Sequence, residues 1–117
     1  MKDKIQASVR AAYAAPLINP SEGELGRVRA AFTALADAQW GICNLPSAAG
    51  AMAAYAPLYD RLLDAQELLR AGKRGGLHAS RYGGAEAEAR QTQGAGLLPA
   101  LLADIEACAA MMDSVAS

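Results

Sequence analysis

The sequence has few of the residues from which catalytic centres and metal sites are built. It contains one histidine, His78, and two cysteines, Cys43 and Cys108. So few ligands exclude a dense metal site, and two cysteines exclude a disulfide scaffold. A hydrolytic triad or a general base would have to depend on His78, and no carboxylate lies near it in the sequence to orient it. We therefore expect a protein that has no catalytic residues, binds no metal and uses no cofactor.

Long apolar runs and strand-forming residues are also scarce. No stretch approaches the roughly 18 consecutive apolar residues of a membrane span, so we expect no membrane segment. The first ten residues lack the apolar centre of a signal peptide, which predicts a cytoplasmic location. A formal net charge of −1 argues against long-range attraction to nucleic acid. The shortage of β-branched residues disfavours sheets.

Alanine is the most abundant residue in the chain. It occupies 29 of 117 positions, and it has the highest helix propensity of any residue. Leu, Ile, Val and Phe together supply only 22 residues, so the core should be thin. This composition predicts an all-α fold, a small antiparallel bundle of four to five helices formed by one domain over residues 1–117.

Apolar residues recur at helical spacing in four segments. The first helix is predicted over 2–15, before Pro16. The second begins at a capping box formed by Ser21 and Glu24, and the third begins with Ser47 as its N-cap. Pro57 should either kink the third helix or restart it. The last helix is predicted from about 98 to 115.

The three longer helices carry apolar seams in which the spacing alternates between three and four residues. The seam of the second helix is Leu25, Val28, Phe32, Leu35, Gln39 and Ile42. The seam of the third is Met52, Tyr55, Tyr59, Leu62, Gln66 and Leu69, and that of the last is Leu98, Leu101, Ile105, Cys108, Met112 and Val115.

The helical pattern fails between the third and last helices. Residues 72–84 are rich in glycine and carry three basic residues, which predicts a flexible basic loop. Residues 85–93 have good helix propensity without an apolar stripe, so we expect at most a short solvated helix there. The segment 94–96, Gly-Ala-Gly, is expected to break it.

Several side chains have ordinary structural interpretations. Cys43 and Cys108 lie on or beside apolar seams, as inert core cysteines do. The carboxylates of the last two helices are expected on solvated faces, because none forms the Glu-x-x-His pair of a di-iron bundle: Asp60, Asp64, Glu67, Asp104, Glu106 and Asp113. Tyr55 and Tyr59 lie four residues apart on one helix face, which suits either the core or a contact patch.

In size, alanine content, predicted helicity and lack of catalytic motifs, the chain resembles small accessory proteins of phages and mobile elements. Among these it is similar to anti-CRISPR proteins, a resemblance of general character that rests on no signature motif. The resemblance implies a non-enzymatic inhibitor that blocks a larger bacterial complex, a CRISPR effector or its helicase-nuclease. The alternative is a structural or assembly adaptor whose helical bundles self-associate.

The predicted contacts with a protein partner lie in two places. One is the basic loop, where Lys73, Arg74, Arg81 and Tyr82 could meet a partner. The other is the outer face of the third helix, where the candidates are Tyr59, Asp60 and Asp64. An inhibitor should be a monomer or a small homo-oligomer, whereas an assembly protein should form a larger closed oligomer.

Overall fold

The computed structural model describes residues 3–71 and 84–116, and over these ranges it confirms the all-α fold. Four helices are present: α1 (Lys4–Ala14), α2 (Gly23–Ile42), α3 (Ala49–Leu69) and α4 (Gly84–Ala116). Single 3₁₀ turns, Pro20–Glu22 and Pro46–Ala48, precede α2 and α3. The predicted small helical bundle is therefore correct, with four α-helices.

Helix α4 is the element around which the bundle is built, because it packs against each of the other three helices. Its largest interface is with α3, and α2 packs against α4 more extensively than against α3. Helix α1 runs antiparallel to α4, because Ile5 contacts Asp113 whereas Arg10, further along α1, contacts Glu106. Helix α3 is also antiparallel to α4, because Ala51 contacts Cys108 whereas Arg61 contacts Asp104. Fully buried alanines such as Ala31 let these helices approach closely.

The predicted seams form most of the core, but α3 is rotated from its predicted register. Ala51 and Ala65 are buried in α3, whereas Met52 and Gln66 are only half-buried and Tyr59 is exposed. The prediction placed the large side chains of α3 in the core, whereas the alanine side chains next to them in sequence are buried there. The core consists of Val9, Leu25, Val28, Ala31, Phe32, Leu35, Ile42, Ala48, Ala51, Leu58, Leu62, Ala65, Leu98, Leu101, Ile105, Cys108, Ala109 and Met112.

The predictions of at most a short solvated helix over 85–93 and of a break at 94–96 are wrong, because both segments belong to α4, which is continuous for 33 residues. Gly94 is buried, and a Cβ placed on it would lie 2.9 Å from the Leu68 Cβ and 3.0 Å from the Leu69 backbone nitrogen. This glycine is therefore where α4 passes close to α3, and the contact with α3 outweighs its poor helix propensity. Pro99, the second residue of the last helix as the sequence predicts it, lies inside this continuous helix.

Both predicted N-terminal caps are also wrong. The Asn19 side chain accepts hydrogen bonds from the backbone N–H and the hydroxyl of Ser21, and it starts a 3₁₀ turn. Helix α2 then begins at Gly23, whose φ of +51° suits glycine. Ser47 lies within the 3₁₀ turn that precedes α3, and no side chain caps that helix. Helix α3 continues through Pro57 without the restart that the sequence left open.

The expectation that Asp113 is solvated is wrong as well. Its side chain is buried, and its two oxygens accept the backbone N–H groups of Ile5 at 2.7 Å and Gln6 at 2.9 Å. These N–H groups belong to the first turn of α1, where no bond within the helix is available to them. Glu106, half-buried, accepts from Arg10 and from the Tyr13 hydroxyl, so α4 holds α1 along its length.

Helix α4 is long and apolar enough to cross a membrane by length and composition alone, with an 18-residue window of mean hydropathy 1.5. A core helix of a soluble protein passes the same test, so a single such helix is weak evidence. In this structure α4 supplies core residues that pack against the other helices, among them Leu101, Ile105 and Met112. The absence of a membrane segment stays a prediction.

Candidate functional site

The predicted contact residues of the basic loop lie outside the described residues. This applies to Lys73, Arg74, Arg81 and Tyr82, and also to His78. The candidate surface is therefore built from the second predicted group, the exposed residues of α3.

The structure brings Tyr59, Asp60 and Asp64 together on the outside of α3. All three are exposed, and 52 % of Tyr59 is accessible to solvent. Asp60 and Asp64 are one helical turn apart, so their carboxylates lie on one face of the helix. The next turn after Tyr59 adds Leu63, which is 40 % exposed. An aromatic ring, an aliphatic side chain and two carboxylates thus share one solvent-facing surface.

The Tyr59 ring is held in place by the core although half of it faces solvent. Phe32 of α2 is buried, and its ring centroid lies 5.8 Å from that of Tyr59. Phe32 also stacks on Tyr55, with centroids 5.6 Å apart and an angle of 14° between the rings. Burial raises the pKa of the Tyr55 phenol, as expected at the edge of the core. Phe32 therefore links α2 to α3 and contacts the exposed Tyr59 ring on the side that faces the core.

Two rows of residues at four-residue spacing diverge from this aromatic contact. Phe32, Ala36 and Trp40 on α2 go from buried through half-buried to 76 % exposed. On α3, the corresponding row goes from half-buried Tyr55 to exposed Tyr59 and Leu63. Residues four apart form a ridge inclined to the helix axis, so each row moves gradually towards solvent. We call these six residues the aromatic stripe: Trp40, Ala36, Phe32, Tyr55, Tyr59 and Leu63.

The described part of the chain is acidic. It holds all twelve Asp and Glu residues and seven of the eleven Lys and Arg residues, a formal net charge of −5. Five of these seven cations are in ion pairs with acidic residues of the same chain: Arg10, Arg29, Arg61, Arg70 and Arg90. Most of the positive charge is thus neutralised internally, which leaves an excess of carboxylates.

Three of the remaining carboxylates flank the aromatic stripe. Asp37 follows Ala36 on α2, and Asp60 and Asp64 lie beside Tyr59 and Leu63 on α3. All three are exposed, and none has an ion-pair partner among the residues that the structure describes. The apolar stripe therefore has acidic side chains along its edges.

Other groups with possible chemistry have structural surroundings. Cys108 is buried, its thiol donates to the Ala51 carbonyl oxygen, and burial raises its pKa to about 11. Such a thiol is inert at neutral pH because almost none of it is thiolate. Cys43 is half-buried and free. No group of three or more His, Cys, Asp or Glu side chains in 3–71 and 84–116 could hold a metal ion.

Sequence reasoning found the α3 residues but missed the contribution of α2. It assigned no role to Trp40, and it placed Phe32 only in the α2 seam. The four-residue spacing from Phe32 to Trp40 was a visible signal. Its significance depends on which α3 residues meet Phe32, and only the packing of the two helices settles that.

Comparison with protein-family models, with curated proteins and with solved structures found no match for this chain.

Proposed function

We propose that this protein acts by binding, without catalysis, and inhibits a larger bacterial macromolecular complex by covering a basic surface on it. The observation that carries the proposal is an exposed, core-supported Tyr59 beside Asp60 and Asp64, whose carboxylates form no ion pair within residues 3–71 and 84–116. The specific form of the proposal is an inhibitor of the anti-CRISPR type, directed at a CRISPR effector or its helicase-nuclease.

The physical support comes from how such a residue binds. Tyrosine is enriched at binding hot spots because it offers a large contact area with few rotatable bonds. The Phe32 ring already limits where the Tyr59 ring can lie, so little entropy is lost on binding. Asp60 and Asp64 add attraction to cations, which raises the association rate and selects against acidic partners.

The first test is capture of the partner by variants of the α3 surface. We expect the triple variant Y59A/D60K/D64K to weaken the complex at least tenfold, because it removes a hot-spot ring and reverses two charges. The matched control is E24K/E88K, which makes two charge reversals of the same sign at exposed positions on α2 and α4. Affinity-tagged forms would be incubated with bacterial lysate, the retained proteins identified by mass spectrometry, and the affinity for the purified partner measured by calorimetry.

The outcomes test the binding surface, the anti-CRISPR form and the assembly alternative separately. Equal capture of one partner by the wild-type and triple-variant proteins would remove α3 as the binding surface. To test the anti-CRISPR form, the protein would be expressed in bacteria that carry different CRISPR types, which are then challenged with a targeted phage. Failure to restore phage growth in every type would remove that form and leave binding to be explained by the captured partner. A large closed oligomer in light scattering would favour the assembly alternative.

A further inference from the structure

We infer that the partner presents a basic amphipathic α-helix, which lies along the aromatic stripe from Trp40 to Leu63. This inference rests on the proposed function and names the structural element that the binding surface receives. It concerns both α2 and α3, whereas the proposed function concerns the α3 surface alone.

The length of the stripe follows from the directions of the two helices. Helices α2 and α3 are joined by the short segment 43–48. They are antiparallel, because Arg70 after the end of α3 pairs with Glu22 before the start of α2, whereas Phe32 meets Tyr55 nearer to the connection. Both rows start at the contact between Phe32 and Tyr55, so they extend in opposite directions along the bundle. Each row extends over eight residue steps, or about 12 Å at 1.5 Å per residue. The stripe is therefore about 24 Å long, which matches a partner helix of roughly 16 residues.

The shape of the surface also favours a helix. The α2–α3 interface is the smallest of the five substantial helix–helix interfaces among the described residues, and aromatic rings make its central contact. An amphipathic helix binds between two helices by placing residues at i, i+3, i+4 and i+7 against apolar side chains. An extended peptide would need a sheet edge to pair with, and the described part of the chain contains no strand.

The carboxylates beside the aromatic stripe determine which charges the partner helix should carry on its flanks. Asp37 lies on the side of α2 away from α3, and Asp60 and Asp64 lie on the side of α3 away from α2, given that Phe32 and Tyr59 face each other. A helix seated between these two edges has its flanks near carboxylates on both sides. Lysine or arginine on both flanks of its apolar stripe would be attracted there, and acidic residues would be repelled.

The test is an unbiased selection from a phage-displayed library of random 16-residue peptides against the full chain. We expect the enriched peptides to carry apolar residues at helical spacing with Lys or Arg on both flanks. When synthesised, they should gain helicity on binding and shift the fluorescence of Trp40, the only tryptophan in the chain, to shorter wavelength.

Matched variants separate the stripe from general charge attraction. The apolar variant Y59A/L63A should weaken the selected peptides at least tenfold, and D60N/D64N at least threefold with reduced salt dependence. The controls are L97A, which shortens an exposed leucine on α4, and E24Q/E88Q, which removes two carboxylates elsewhere. Both should stay within twofold of the wild-type protein, with circular dichroism showing that every variant is folded.

Several results would overturn the inference. These are no enrichment, enriched peptides without helical patterning or basic flanks, no change in Trp40 fluorescence, or controls that weaken binding as much as Y59A/L63A. A dimer that Y59A/L63A dissociates would show instead that a second copy covers the stripe. If the captured partner depends on Tyr59 but leaves Trp40 accessible in the complex, the inference fails and the proposed function stands. If capture is unaffected by Y59A/D60K/D64K, the proposed function itself fails.

Discussion

Replacing Gly94 by alanine is the sharpest test of how closely α3 and α4 approach each other. In an open helix, Gly→Ala stabilises by about 1 kcal/mol, because alanine has the higher helix propensity. At Gly94 the added methyl group would lie 2.9 Å from the Leu68 Cβ and 3.0 Å from the Leu69 backbone nitrogen. Backbone atoms cannot turn aside as a side-chain end can, so the two helices must separate. Overpacking of this kind costs about 1–3 kcal/mol. We expect a net loss of about 1 kcal/mol in the free energy of unfolding.

Gly96 provides the matched control two residues further along the same helix. A Cβ on Gly96 meets nothing within 4 Å, so Gly96→Ala should stabilise the protein by about 1 kcal/mol. The two variants should therefore differ in unfolding free energy by about 2 kcal/mol, and in Tm by roughly 5–10 °C for a chain of this size. Urea and thermal unfolding followed by far-UV circular dichroism would measure both differences. Stabilisation of the same size by both substitutions would refute the close approach of α3 and α4 at Gly94.

The remaining predictions concern single groups. Asp113→Ala should cost about 2–3 kcal/mol in urea unfolding and speed hydrogen exchange in α1, because two N–H groups of its first turn lose their buried carboxylate acceptor. A loss no greater than that of Asp104→Ala, which breaks an exposed ion pair, would contradict this. In the native protein Cys43 should react with a thiol reagent at pH 8 well before Cys108; equal rates would show that Cys108 is accessible. The pKa of Cys108 is about 11 in the folded protein and near 9.0 ordinarily, so the folded state holds this proton more tightly. Its contribution to stability is complete below pH 9 and is lost as the pH rises towards 11, and Cys108→Ala should remove that part of the pH dependence. Trp40 should emit like a solvated indole and be quenched efficiently by acrylamide, and a buried emission spectrum would contradict its place on the stripe.

The sequence was sufficient for the fold class because alanine content and apolar periodicity both reflect local helix geometry. The α2 and α4 seams were placed correctly: Leu35, Ile42, Leu101 and Ile105 are all buried where the spacing predicted. The register of α3 was not, since Ala51 and Ala65 are buried in place of larger neighbours. Which face of an alanine-rich helix turns inward depends on how close its neighbours come, and periodicity of large residues does not reveal that distance.

The errors at Gly94 and Asp113 have a related cause. Each residue was interpreted from its neighbours in sequence, as a helix breaker and as a solvated carboxylate. Each residue has its structural role through contact with another helix. Helix α3 packs closely against Gly94, and the first turn of α1 donates a backbone hydrogen bond to Asp113. The candidate surface shows the same limit, because Tyr59 could be identified within α3 whereas its support by Phe32 requires knowledge of the α2–α3 packing.

The central position of α4 has a consequence for the order of events during synthesis. The backbone N–H of Ile5 in the first turn of α1 donates to Asp113, which lies 108 positions further along the chain. Helices α1 to α3 therefore leave the ribosome before the element that joins them has been made, and α2 and α3 have little interface of their own. We expect the nascent chain to stay loosely organised until α4 emerges, so that the complete bundle forms only in that late step.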